Sequence, residues 1–114
     1  MPKIFKIIDA ALYENANKAG WFHGVEIDLK DGYIHFSAAD QVVETAKLHF
    51  AARQNLMLMA CDSEGFGEAL KWETSRGGHL FPHLFAPLDM KKVLWARPLP
   101  WNGAAHDFPG ETFA

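Results

Sequence analysis

Cysteine occurs once, at position 61, so an internal disulfide is excluded. That thiol follows an apolar run and has no adjacent histidine or second cysteine to activate it, which marks it as a packed side chain, not a nucleophile. No apolar run is long enough to span a bilayer, and Lys3 and Lys6 interrupt the N-terminal hydrophobics where a secretory leader would need continuity. A cytoplasmic protein with no membrane partner is expected. Neither sign of charge dominates: 11 Lys+Arg against 14 Asp+Glu leave a net charge of −3, which gives no support for nucleic acid or anionic lipid as a partner. Phosphate-binding loops, dinucleotide fingerprints, internal repeats and low-complexity tracts are also missing.

What remains is an ordinary globular mixture, 49% hydrophobic and 22% charged, in a chain of 114 residues that is sized for one domain over 1–114. Met1 to Ile8 reads as a strand, and Asp9 is placed to cap a helix over Ala10 to Ala19. There Leu12, Ala16 and Ala19 share a face, and Gly20 suits a left-handed helix end. From Trp21 a connector leads through the turn Lys30-Asp31-Gly32 to a strand, Tyr33 to Ser37, whose last residue is expected to cap a helix running from Ala38 to about Arg53. Leu56 to Ala60 is a buried central strand by its continuous apolar run, and Leu70 to Thr74 is another strand. After the break at Arg76-Gly77-Gly78, residues His79 to Phe85 are extended and, because of Pro82, are assigned to a sheet edge. Val93 to Arg97 is the last strand, and 101–114 form an irregular tail. The class predicted is α+β, with two main helices in the N-terminal half.

Strand alternation puts Lys6 between Ile4 and Ile8, His35 between Tyr33 and Ser37, and His83 between Phe81 and Phe85. Each is a polar group in an apolar setting and needs a partner, a wet cleft or a ligand. Convergence of Lys6, His35 and His83 on one concavity is the reading that explains all three together. Glu73 should face away from Trp72, with the indole in the core and the carboxylate outside or in the cleft, within reach of Arg76. His79 and His83 are about 13 Å apart if extended, too far for one ion; convergence of His35, Glu73 and His83 from separate strands is the metal reading left, a minor one, and no metal ligand is assigned.

The strings Ile4-Phe5-Lys6-Ile7, Asp31-Gly32-Tyr33-Ile34-His35-Phe36-Ser37, Gln41, Trp72-Glu73 and Gly78-His79-Leu80-Phe81-Pro82-His83-Leu84-Phe85 resemble a bacterial family called domain of unknown function nine-five-two, over about residues 3–98. That family in turn resembles a compact ADP-ribosyltransferase-like fold, a split mixed β-sheet with helices that elsewhere holds NAD. The resemblance implies that Lys6 stands where the transferases carry a ribose-binding histidine, that His35 and Ser37 lie beside the nicotinamide ribose, and that Glu73 and His83 are the catalytic candidates. No tyrosine matching the one in the fold's following helix occurs between Ala38 and Phe50. Two functions follow: a binder of a nucleotide-like or other small anionic ligand, with Lys6 and Arg76 supplying charge and NAD or ADP-ribose as the ligands implied, or an enzyme that cleaves or transfers at a nucleotide ribose. Anion binding through the histidines would tighten below neutral pH.

Overall fold

In the computed structural model, which describes residues 2–114 apart from the side chain of Arg76, the N-terminal apolar run is strand β1 (Lys3–Asp9), followed directly by helix α1 (Ala10–Ala19). Gly20 ends the helix with φ of 86°, and its N–H bonds the carbonyl of Ala16. Asp9 does not cap it: its Oδ1 accepts from Arg53 Nη2 at 2.6 Å. The segment expected to be a connector holds a short strand β2 (Trp21–Phe22) and a six-residue helix α2 (Glu26–Asp31). Next come β3 (Ile34–His35), β4 (Ser37–Ala38), α3 (Val42–His49), β5 (Leu56–Asp62), β6 (Leu70–Thr74), β7 (Leu80–Leu84), β8 (Leu88–Asp89) and β9 (Val93–Pro98). Helix α3 is shorter than the 38–53 expected. Ala38 is held in a sheet at its start, and Ala52 and Asn55 take positive φ beyond its end.

The strands form three antiparallel sheets, ordered β4-β1-β5-β9, β3-β7-β6 and β2-β8. The expectation of a mixed sheet is thereby corrected, and the reason is topological. Strands β4 and β5 run the same way through the crossover helix α3, but β1 is inserted between them, so no parallel neighbours result. Pro82 is also not at an edge, since β7 is the middle strand of its sheet. The carbonyl of Pro82 accepts from Phe36 N–H at 3.0 Å. The N–H that proline lacks would face the same neighbour, just past the end of β3, so the central strand loses one bond at a place where the ladder already stops.

Strands β1 and β5 are buried on both faces. Ile4, Ile8, Met59 and Cys61 pack with Ala16, Phe22, Ile34, Leu84 and Leu88 on one side; Phe5, Ile7, Leu58 and Ala60 pack with Val42, Ala46 and Leu99 on the other. Trp72, expected in the core, is 40% exposed. Its strand is the outer one of the β3-β7-β6 sheet, so its indole stands beyond the rim of the first core. The tail is anchored at several points: Leu99 is fully buried, Trp101 and His106 pair across a turn, and His106 Nε2 bonds Arg53 O at 2.9 Å. Among the described residues no helix is long and apolar enough to cross a membrane.

Candidate functional site

One extended segment serves two sheets. Ile34–His35 pair with β7, whereas Ser37–Ala38 pair with β1, so the chain changes sheets at Phe36 and the two sheets splay apart there. The wedge is a cleft of about 760 Å³, a volume in the range of small-molecule sites. Its floor is β1 from Phe5 to Asp9, its polar wall carries Lys6, His35, Ser37 and His83, and its flanks come from 25–27 and from α3. Sequence alternation anticipated the convergence of Lys6, His35 and His83. His35 and His83 sit directly opposite each other in the β3–β7 ladder, with ring centroids 5.4 Å apart.

Behind the polar wall, holding Lys6 and His35, is Asp28, 2% exposed. Its carboxylate receives Lys6 Nζ at 3.1 and 3.0 Å, Val25 N–H at 2.8 Å, His35 N–H at 3.1 Å and His35 Nδ1 at 2.6 Å. Burial alone would raise the carboxyl's pKa, but the His35 hydrogen bond, the Lys6 charge and the two main-chain donors together hold it at about 2. Burial pushes the Lys6 ammonium below its ordinary range, opposed by Asp28. The positive charge expected of Lys6 is therefore already paired. His35 Nε2 meets Asp31 Oδ2 at 2.9 Å, so its ring bridges two carboxylates one helical turn apart on α2. His83 is 2% exposed, and its Nδ1 lies 2.9 Å from Glu73 Oε1. Tyr33 stacks on His83 with centroids 4.1 Å apart, and burial raises the phenol's pKa. With Nδ1–H donated to Glu73, Nε2 is the nitrogen of His83 left to meet a ligand, and it has no partner among the described residues.

Ser37 is not a helix cap. It is paired with Phe5 in β4, and its hydroxyl lies 2.9 Å from that of Thr45, which itself bonds Gln41 O. Gln41 holds the start of α3 to β7 by accepting from Ala38 N–H and donating to Leu80 O. Glu73 stands behind His83 and reaches the cleft through that ring. The side chain of Arg76, and with it the expected pair with Glu73, lies outside the described residues. Cys61 is fully buried, and burial pushes its thiol up to about 12, in keeping with a packing role. Among the described residues no group of three or more His, Cys, Asp or Glu is placed to hold a metal ion.

Sequence reasoning missed Asp28 and read Asp31 only as a turn residue. Their helix is too short for apolar periodicity to show; the signal that was available is Asp28-x-x-Asp31 bracketed by Gly24 and Gly32, and the structure gives both glycines positive φ.

Among solved structures, the crystal structure of CC0527 from Caulobacter crescentus is 39% identical, with TM-score 0.93 over 98% of this chain and 99% of that one. A double mutant of that protein gives the same figures. Its solution NMR structure is 42% identical, with TM-score 0.83 over 91% of this chain and 90% of that one. No curated protein matches. The family model described as Protein of unknown function (DUF952) matches residues 7–96, which include β1 from Ile7 onward, both histidines, Asp28 and Glu73, and the chain belongs to that family.

Proposed function

We propose that the cleft binds a small, nucleotide-like molecule in the cytoplasm, with its flat ring among the apolar flanks and a sugar hydroxyl donating to His83 Nε2 on the wall that also carries His35 and Ser37. The observation that carries this reading is His83: a buried ring held by Glu73 and Tyr33, with Nε2 left over at a cavity of ligand size. A likeness to the ADP-ribosyltransferase fold supports NAD or ADP-ribose as first probes.

The 2.9 Å contact between Glu73 and His83 favours a second reading, an enzyme acting at a nucleotide ribose. Glu73 keeps the ring in the tautomer whose Nε2 accepts a proton, and it stabilises the imidazolium that results. Incubation with NAD followed by product analysis separates the two. Binding without turnover supports the first reading. Release of nicotinamide that is lost in Glu73→Gln supports the second, and neither binding nor turnover would exclude both for this ligand class.

A further inference from the structure

We propose that the floor of the cleft is a docking edge for an extended, uncharged peptide segment of about four residues, which adds to the four-stranded sheet beside β1. The register of β1 on β5 fixes where each main-chain group of β1 points. Ala10 N–H donates to Asn55 O at one end, and Ser63 N–H donates to Pro2 O at the other, so even-numbered residues face β5 and odd-numbered residues face away. On the far side β4 pairs with Ile4 and Phe5 only. The chain that would continue that ladder has turned off, because His35 N–H is bonded to Asp28 and Phe36 N–H to Pro82 O. Ile7 N–H and C=O, and Asp9 N–H, are left with no strand partner. Ile7 is only 5% exposed, and buried main-chain groups of this kind are almost always paired.

Length, side-chain pattern and charge all fit an extended chain. Beyond the pair with β4, every residue from Lys6 to Asp9 borders the cleft, about 10 Å of unpaired strand edge. An added strand sends alternate side chains to opposite faces. Here one face offers Ile8 and Val25 next to the polar wall, and the other Val42 and Phe50 next to Thr45, so each face has an apolar pair for one side chain of the added strand. The two strong cations bordering the floor, Lys6 and Arg53, are already paired with Asp28 and Asp9, so the strand edge itself does not require a charged side chain in the added segment.

The test is a titration of the ¹⁵N-labelled chain with the blocked tetrapeptide acetyl-Ala-Val-Ala-Val-N-methylamide. Two versions, each N-methylated at one alternate set of amides, are titrated alongside it. The parent peptide is expected to shift the Ile7 and Asp9 amide resonances. One methylated version should bind about tenfold or more weaker while the other keeps its affinity, because only one set of amides faces β1. Equal affinity of both versions, shifts that spare Ile7 and Asp9, or no binding would each overturn the proposal. Ligand binding at the histidine wall is read separately at His83 by ADP-ribose, so failure here leaves that reading to its own result.

Discussion

Asp28 shows how one side chain organises a site. It is the shared acceptor for a strand lysine, a strand histidine and the start of its own helix, and none of these polar groups could be buried at tolerable cost without it. Asp28→Asn should destabilise the protein by about 3 kcal/mol, because it strands the Lys6 ammonium. Urea unfolding measures this, and adding Lys6→Met should recover part of the loss. The same residue predicts a pH dependence. Its folded pKa of about 2 lies below the ordinary 3.8, so its stabilisation is complete above about pH 4 and is lost as pH falls through 2. The difference corresponds to about 2 kcal/mol, and the Asn variant should lack this part of the acid sensitivity. At this scale the sequence was legible where strand alternation exposed a polar misfit, at Lys6, His35 and His83. It was silent on Asp28, whose importance comes from partners up to 22 residues away.

At the scale of elements, the parts with a strong local signal were readable. Helix α1 and strand β6 have the bounds their patterns predict, since Gly20 and the apolar spacing act within a few residues. Strand β2, helix α2 and the division of 33–37 between two sheets were not readable, because two-residue strands and a six-residue helix are fixed by tertiary partners. Glycines test this distinction. Gly20 and Gly24 both have positive φ, but a Cβ at Gly24 would sit 2.7 Å from Asp28 Cβ, whereas at Gly20 it meets nothing within 4 Å. Gly20→Ala should cost about 1 kcal/mol through backbone strain alone. Gly24→Ala should cost more, about 2–3 kcal/mol, and should displace Asp28. Thermal unfolding gives the ranking, and the NMR resonances of His35 report whether the network moved; equal costs with His35 unmoved would refute the packing argument.

For the whole molecule, the decisive feature is that one segment serves two sheets and changes between them at Phe36, so the second sheet splays away from β1 and leaves a wedge. The α+β class could be read from the order of patterns; the antiparallel pairing and the central position of β7 depend on strand order, which no local signal carries. The C-terminal segment belongs to this global level too. Leu99 has no exposure and Thr112 is 2% exposed, so removal of 99–114 should uncover the α3-side core and abolish cooperative unfolding, or lower the midpoint by many degrees. An unchanged midpoint would show that the anchors contribute little.

The central claim is that the wedge between the sheets binds a small nucleotide-like ligand through His83, and ADP-ribose titration followed by ¹H–¹⁵N chemical-shift mapping tests it most directly. Saturable shifts at residues 35–37 and 83, abolished in a folded His83→Ala variant, are the predicted result. Absence of saturable shifts, or shifts gathered around Trp101 and His106 at the opposite side of α3, would contradict it.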